Sequence, residues 1–183
     1  MDEQQLEQGS VNVGEVFNRP ETGRSLIGLV RVMSDQANRA RGFLPIDEDP
    51  RWTVVIEGAR SLLGVISNSP GDEEVKTRIE EIDRRRRDDI AGFGRVKERT
   101  DISDIDKEVA RFELAREVLR QEGFNMALRA VGFAIDSNGL LVPSGARFSE
   151  DQQREAVSGF NDHLPGIMRR TYGEENFDTG EED

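Results

Sequence analysis

The chain of 183 residues is long enough for one domain with a hydrophobic core. Its formal net charge of −12 at pH 7 opposes binding to nucleic acid or to an anionic membrane, unless basic residues are concentrated locally. The absence of cysteine excludes disulfides, thiolate metal sites and cysteine nucleophiles.

The N-terminal part of the sequence predicts an arm followed by a helix. Residues 1–24 are polar and contain scattered glycine and proline, so we expect a flexible arm with a short apolar anchor that includes Val16 and Phe17. A first helix is predicted over residues 25–41, because apolar residues recur there at helical spacing. This apolar stripe consists of Leu26, Leu29, Val30, Met33, Ala37 and Ala40.

Two further helices follow. Asp49 and Pro50 suit the cap and first position of a second helix, whose apolar face, from Trp52 to Ile66, is broad enough to be central in the core. A third helix is predicted over residues 72–91. Its thin apolar stripe is interrupted by Arg86, and the segment Gly92-Phe93-Gly94 is expected to end it.

The clearest helical pattern runs from Asp101 to Gly123, with a capping box at Ser103 and Asp106 and a predicted end at Gly123. Glu113 with Arg116, and Glu117 with Arg120, are spaced to pair on the solvent face. We expect this helix to form an antiparallel hairpin with the third helix. Its predicted core face consists of Ile102, Ile105, Val109, Phe112 and Leu119.

The last part of the chain predicts a β-hairpin and a final helix. Asn138-Gly139 between apolar runs favours a hairpin near residues 131–142, and a helix is predicted to start at Ser149. The acidic tail, residues 173–183, has no pattern that could form a core and should be disordered. The expected fold is therefore mainly α, with five to six helices in a single domain, residues 25–172, and flexible ends.

One cluster of basic residues could bind phosphates or other anions. It is the only concentrated positive charge in the chain and consists of Arg84, Arg85, Arg86, Arg87, Arg95, Lys97 and Arg99. The competing interpretation is a solvated face neutralised by acidic residues three or four positions away, such as Glu80 and Asp89. Arg86 lies on the apolar stripe, so it could pair with a carboxylate from a neighbouring helix or subunit, or face an anionic ligand.

We find no set of residues that predicts catalysis. His163 is the only histidine and lies in no recognisable catalytic motif, so a helix-end or surface position is the default interpretation. Acidic clusters stand at helix starts, where capping explains them, and none matches a calcium loop. We therefore predict no metal and no cofactor, although an enzyme using only carboxylates and arginines stays open as a third possibility.

Two hypotheses follow. The first is a non-enzymatic structural or interaction protein that self-assembles or docks on a protein partner, with Phe93, Ile167 and Met168 at the interface; structural and assembly proteins of viruses or phages are one such class. The alternative is a coat-like or nucleoprotein-like subunit that contacts phosphates through Arg84–Arg87, Arg95 and Arg99. With no signal peptide and no long apolar run, we expect the cytoplasm, or a virion if the protein is viral.

Overall fold

The structure, a computed structural model, describes residues 16–17, 19–41, 50–69 and 71–172. Within these ranges the chain is mainly helical, with one two-stranded antiparallel sheet, as predicted. The predicted acidic tail and most of the predicted arm lie outside the described residues. The elements are α1 (Pro20–Arg41), α2 (Pro50–Asn68), α3 (Asp72–Lys97), α4 (Asp104–Ala130), β1 (Phe133–Ile135), β2 (Leu141–Pro143) and α5 (Glu150–Tyr172).

The chain joins the folded body earlier than predicted. Helix α1 begins at Pro20 rather than residue 25, since proline is pre-set for the first helical turn. Before it, Phe17 is fully buried and packs on Phe133, with 4.8 Å between ring centroids. Thr22 donates a hydrogen bond to the carbonyl of Val16 at 2.7 Å, which fixes this entry. The expected apolar anchor at Phe17 is therefore part of the core.

Helices α2 and α4 pack closely at the centre. Gly58 of α2 lies against the carbonyl of Arg120, and a Cβ there would be 2.0 Å from that oxygen. Gly123 of α4 lies against the carbonyl of Val55, where a Cβ would be 1.9 Å away. The prediction that Gly123 ends the helix is therefore wrong, because this glycine allows the close approach of two backbones and α4 continues to Ala130.

Helix α3 also continues through its glycines. The prediction that Gly92 and Gly94 break the helix is wrong, since α3 extends to Lys97. A glycine inside a helix lowers its stability by about 1 kcal/mol but does not force an end. A Cβ at either position would meet no atom within 4 Å, so nothing inside the described fold requires a glycine there.

The predicted core face of α4 is wrong over its first half. Ile105, Val109 and Phe112 are exposed, and the buried face is the opposite one, which includes Ala110 and Leu114. Periodicity correctly identified an apolar face, but burial depends on where the neighbouring helices lie. Farther along α4 the same face is covered, and Leu119 is buried there as predicted.

The β-hairpin is confirmed. Ala134 of β1 pairs with Val142 of β2, and Gly139 in the turn has φ of +79°. Asp136 accepts hydrogen bonds from the backbone N–H groups of Asn138 and Leu140, which lower the pKa of its carboxyl. The hairpin is attached to α3 because the backbone N–H of Leu141 donates to Glu80 Oε1 at 2.9 Å.

Candidate interaction surface

Helices α3 and α4 form the predicted antiparallel hairpin, and its far end extends from the body. The helices are joined by a short loop, and Asp83 of α3 lies next to Gln121 of α4, with 2.7 Å between Oδ1 and Nε2. No residue from 84 to 109 is buried, whereas α3 buries Val75, Ile79 and Asp83 near its start. We call residues 84–116 the distal hairpin and the remaining described residues the helical body.

The distal hairpin carries an apolar stripe on its outer face. Ile105, Val109 and Phe112 have relative exposures of 76%, 56% and 51%. Spacings of four and three residues place them in one row along α4. Leu114 is buried. It follows Ile105 by nine residues, which is two and a half turns, so it lies on the opposite side of the helix. We call these three residues the α4 stripe.

Phe93, predicted as an interface anchor, lies on α3 within the same distal hairpin. Its side chain is half-buried. It lines an open surface cavity of about 540 Å³, whose other lining residues are Asp88, Asp89, Gly92, Arg95, Val96 and Arg99. The structure therefore places one predicted interface residue in the same region of the molecule as the α4 stripe, although on the other helix.

The arginine run does not form one patch. Successive residues of a helix turn by about 100°, so the four arginines point to different sides of α3. Arg84 lines a cavity with Asn138 of the β-turn, and Arg85 lines another with Ser61 of α2. Arg86 points inward, and Arg87 Nε lies 2.7 Å from Asp83 Oδ2. Two of the four are therefore engaged within the fold.

Arg86 joins three helices. It donates to Ser61 Oγ on α2 at 2.9 Å and to the carbonyl of Arg120 on α4 at 3.4 Å. Its guanidinium carbon lies 4.9 Å from the centroid of the Phe124 ring. Burial lowers the pKa of Arg86, and the negative charge of Glu117 opposes that shift. Arg86 therefore contacts neighbouring helices within the chain, but through a hydroxyl, a backbone carbonyl and an aromatic ring, not through the predicted carboxylate.

The basic residues at the tip of the hairpin are partly neutralised. Arg99 donates to both carboxylate oxygens of Asp101, at 2.9 and 2.5 Å, and this contact holds the pKa of Asp101 at about 2. Lys97 Nζ lies 3.8 Å from Glu98. Arg95 is exposed and forms no ion pair within the described ranges.

A buried polar group near the base of the hairpin was missed by sequence analysis. Asp83 is fully buried, and Gln121 donates to it and to Asn125 Oδ1, the latter at 3.0 Å. Arg87 forms an ion pair with Asp83, but its guanidinium is not oriented to donate a hydrogen bond to Oδ2 of Asp83. The sequence spacing does indicate burial at this position, because Asp83 follows Val75 and Ile79 at intervals of four residues along the helix. Helix α3 therefore buries a charge where its stripe predicts an apolar residue.

The other two predicted interface residues lie in the core. Ile167 and Met168 are 6% and 8% exposed and pack inside the body. They present little surface to a partner, because this face of α5 packs against the other helices. The prediction chose an apolar pair near the end of the chain without knowing which side of α5 would be covered.

His163 is exposed and lines a cleft of about 540 Å³ between α4 and α5. Its lining includes buried Met126 and Phe160 and exposed Arg129 and Arg170. Serine, threonine, lysine and tyrosine are absent from this lining, which is formed by described residues only. The surface position expected for His163 is confirmed.

Within the described ranges, no group of three histidine, aspartate or glutamate side chains is placed to hold a metal ion. None of the helices described has the length and apolar character needed to cross a membrane. The sequence matches no protein-family model, and neither a curated protein nor a solved structure shows significant similarity to it.

Proposed function

We propose that this protein is a non-enzymatic interaction subunit that self-assembles or docks on a protein partner through the α4 stripe. The observation that carries the proposal is the exposure of Ile105, Val109 and Phe112 in one row of a helix. Single exposed apolar residues are common on protein surfaces, whereas contiguous ones mark interaction sites.

The stripe contributes little to the packing of the described fold, since more than half of each of its three residues is exposed. Apart from Arg86, which packs against α2 and α4, the outer half of α3 and the start of α4 contribute little to the body, since no residue from 87 to 109 is buried. Covering the part of each stripe side chain that is still exposed, between half and three quarters of it, would contribute on the order of 1–2 kcal/mol. A partner that covers three such side chains would therefore supply the stabilisation that the isolated chain lacks at this surface.

The form of the stripe favours a helical or otherwise elongated partner. Helices pack by fitting rows of side chains into grooves, and rows spaced by three and four residues are what such packing uses. Partly exposed charged pairs border the stripe, with Arg111 Nη1 at 3.5 Å from Glu108 and Arg116 Nη1 at 3.6 Å from Glu113. A polar border around an apolar centre is the usual organisation of a protein–protein interface.

The alternative, binding of nucleic acid, has weaker support. Arg84, Arg85 and Arg95 are exposed, but Arg85 faces a different side of α3, and Arg95 lies three turns from Arg84, about 16 Å along the helix. Arg86 is engaged by α2 and α4. Phosphate binding needs several charges on one surface, and its affinity falls steeply as salt increases. This alternative is tested by adding single-stranded RNA and DNA to the light-scattering samples that test the first proposal.

The first experiment is light scattering of the wild-type protein and two variants over a wide range of concentration. Val109→Asp places a charge in the stripe, and Ile27→Asp is the matched control, since Ile27 is 54% exposed on α1 in the body. We expect the mass of the wild-type and Ile27→Asp proteins to rise above 20.6 kDa with concentration, while Val109→Asp stays at one chain. Equal behaviour of the two variants would contradict a role of the stripe in self-assembly.

Docking on a different protein is tested by photo-crosslinking. A photoreactive residue at position 109 should capture a protein in the cells that make this chain, and the same residue at position 27 should not. Absence of any product at position 109, together with a fixed mass, would overturn the proposed function. Binding to RNA or DNA that is lost in high salt and in an Arg84→Ser, Arg85→Ser variant would instead favour the alternative.

A further inference from the structure

We infer that the acidic tail of this chain, residues 173–183, docks in the cleft between α4 and α5, with Phe177 on its apolar centre and acidic side chains near Arg170 and Arg129. This inference concerns a surface other than the α4 stripe and goes beyond the proposed function. It follows from the place where the tail leaves α5, from the lining of the cleft, and from the order of residues in the tail.

The cleft lies beside the point at which the tail begins. Helix α5 ends at Tyr172, and Arg170, two residues earlier, lines the cleft. Gly173 follows directly, and a glycine at this position commonly ends a helix and allows the chain to turn back. A tail that turns back here runs along α5 toward the start of that helix, over the cleft.

The centre of the cleft is apolar. Phe160 and Ile167 line it from α5, and Met126 lines it from α4. Phe148, in the segment before α5, also lines it and is half-buried, so part of its ring is open to a ligand. An aromatic side chain that enters here is removed from water and meets other aromatic rings.

The cleft has one arginine toward each end. At the end near the tail, Nη1 of Arg170 lies 3.9 Å from where a Cβ of Gly166 would be, so its guanidinium folds back along α5. Arg129 marks the other end, because the carbonyl of the next residue, Ala130, accepts a hydrogen bond from the N–H of Phe148, just before α5. Within the described ranges neither arginine forms an ion pair.

The tail carries acidic residues on both sides of its single aromatic residue and has no basic residue. Glu174 and Glu175 precede Phe177, and the other four acids follow it: Asp178, Glu181, Glu182 and Asp183. An acid–aromatic–acid order matches an arginine–apolar–arginine order. The tail has no pattern that could form a core, so docking on the body is the way in which Phe177 can be covered within one chain.

The length of the tail allows this match. An extended chain advances about 3.3 Å per residue, so the five residues from Tyr172 to Phe177 span up to about 16 Å. Ile167 lies about 8 Å back from Tyr172 along α5, and Phe160 about 18 Å back. Phe177 therefore reaches the apolar centre, while Glu174 and Glu175 stay near Arg170 and the later acids extend toward Arg129.

Two acidic residues of the lining, Glu122 and Asp162, oppose this docking. The charges of the lining nearly cancel, so the cleft does not attract anions in general. The tail has the advantage of its covalent link, which gives a short flexible segment an effective concentration in the millimolar range. We therefore expect docking that weakens as salt increases and strengthens in Asp162→Asn.

An engineered disulfide in the full chain tests this inference, because the sequence has no cysteine. Gly159 lines the cleft, and a Cβ there would meet no atom within 4 Å, so Gly159→Cys fits. Thr179→Cys keeps Phe177 and every acid of the tail. The seven residues from Tyr172 to Thr179 span about 23 Å when extended, and Gly159 is about 20 Å back along α5. Under mild oxidation of dilute protein, this pair should form a disulfide within one chain.

The matched control pairs Thr179→Cys with Ser158→Cys, which is exposed and equally far from the tail but turned by about 100° around α5. The pair with Gly159→Cys should oxidise severalfold faster. Adding Phe177→Ala or Arg170→Glu should remove that difference, whereas Arg169→Glu, at an exposed arginine outside the lining, should leave it. Equal rates at positions 158 and 159, or a disulfide that joins two chains, would overturn the inference.

A second measurement needs no cysteine. His163 is the only histidine and lines the cleft, so its ring proton resonances in NMR report on the cleft without further assignment. They should shift in Phe177→Ala, a change outside the described fold, and should shift in the same direction when salt is added to the wild-type protein. Resonances that are identical in wild type and Phe177→Ala would overturn the inference and would leave the proposed function of the α4 stripe standing.

Discussion

The two halves of helix α4 carry similar apolar residues but have opposite environments. In the helical body, Phe124 is fully buried beneath Arg86, while in the distal hairpin Phe112 on the same helix is 51% exposed. The two halves belong to one continuous helix, so the difference arises from the neighbouring elements, not from the helix itself. The comparison shows that an apolar face predicts the need for a partner but does not identify that partner.

Glycines follow the same division, and two acidic residues of the helical body differ from each other in burial. Gly123 in the body is in contact with the backbone of α2, whereas Gly92 in the distal hairpin faces open space. Asp83 in the body is fully buried and paired with Arg87, whereas Glu74, on the same helix, pairs with Arg78 while remaining 37% exposed. Each of these contrasts gives a pair of substitutions with different expected effects.

The largest effect is expected for phenylalanine truncation in the body. Phe124→Ala should lower the free energy of unfolding by about 3–5 kcal/mol, because it leaves a cavity under Arg86. Phe112→Ala should change it by no more than about 0.5 kcal/mol at low protein concentration. Urea unfolding of both variants measures this, and similar losses for the two would show that the stripe is packed in the single chain.

Glycine substitutions should also have different effects on stability in the helical body and in the distal hairpin. Gly123→Ala should lower the free energy of unfolding by about 3 kcal/mol or more, because the new methyl group overlaps the carbonyl of Val55. Gly92→Ala should raise stability by up to about 1 kcal/mol, since alanine is the better helix former and has free space. Thermal and urea unfolding measure both changes, and a destabilised Gly92→Ala would indicate a contact that this fold does not contain.

A smaller effect is expected for the buried charge. Asp83→Asn should cost about 2 kcal/mol, since the charge paired with Arg87 is lost while the half-exposed Arg87 can turn toward solvent. Glu74→Gln breaks a pair with the same spacing on the same helix and should cost about 0.5 kcal/mol or less. Urea unfolding at neutral pH compares them, and equal costs would contradict the structural importance of the buried pair.

The smallest effect concerns pH at the hairpin tip. The pKa of Asp101 is about 2, below its ordinary value of 3.8, so its contribution to stability is complete above pH 3.8 and is lost as pH falls through 2. An NMR titration of the carboxyl should have its midpoint near pH 2. In Arg99→Ala the midpoint should move up toward 3.8, and an unchanged midpoint would show that the Arg99 contact is not the cause.

Much of the fold could be predicted because local signals specify it. Ser103 caps α4 as predicted, accepting from the N–H of Asp106 at 3.1 Å. The hairpin forms at Asn138-Gly139 as predicted, but its turn is longer than the expected two residues, since the N–H of Gly139 donates to the carbonyl of Asp136. The contact between Glu113 and Arg116 is also present, at 3.6 Å. Helix starts, turns and pairs three or four residues apart depend on neighbours in the sequence, so a single sequence contains the necessary information.

The candidate surface could be predicted only in part, because it depends on contacts between distant parts of the chain. Gly123 looked like a helix end, but its role is set by Val55, which is far away in the sequence. The run Arg84–Arg87 predicts a basic patch, but successive residues of a helix point to different sides, so these four side chains do not share one surface. The α4 stripe was identified as an apolar face, but its exposure follows from α2, which covers α4 near Gly123 and leaves Phe112 exposed.

The most direct test of the central claim is a fluorine NMR dilution series with 4-fluorophenylalanine at all nine phenylalanines. The Phe112 resonance is assigned from a Phe112→Leu variant, and the Phe124 resonance from Phe124→Leu. The account predicts that the Phe112 resonance shifts with protein concentration or with added partner, while the Phe124 resonance does not. A Phe112 resonance that stays constant up to millimolar protein and in the presence of any captured partner would contradict the stripe as an interaction surface.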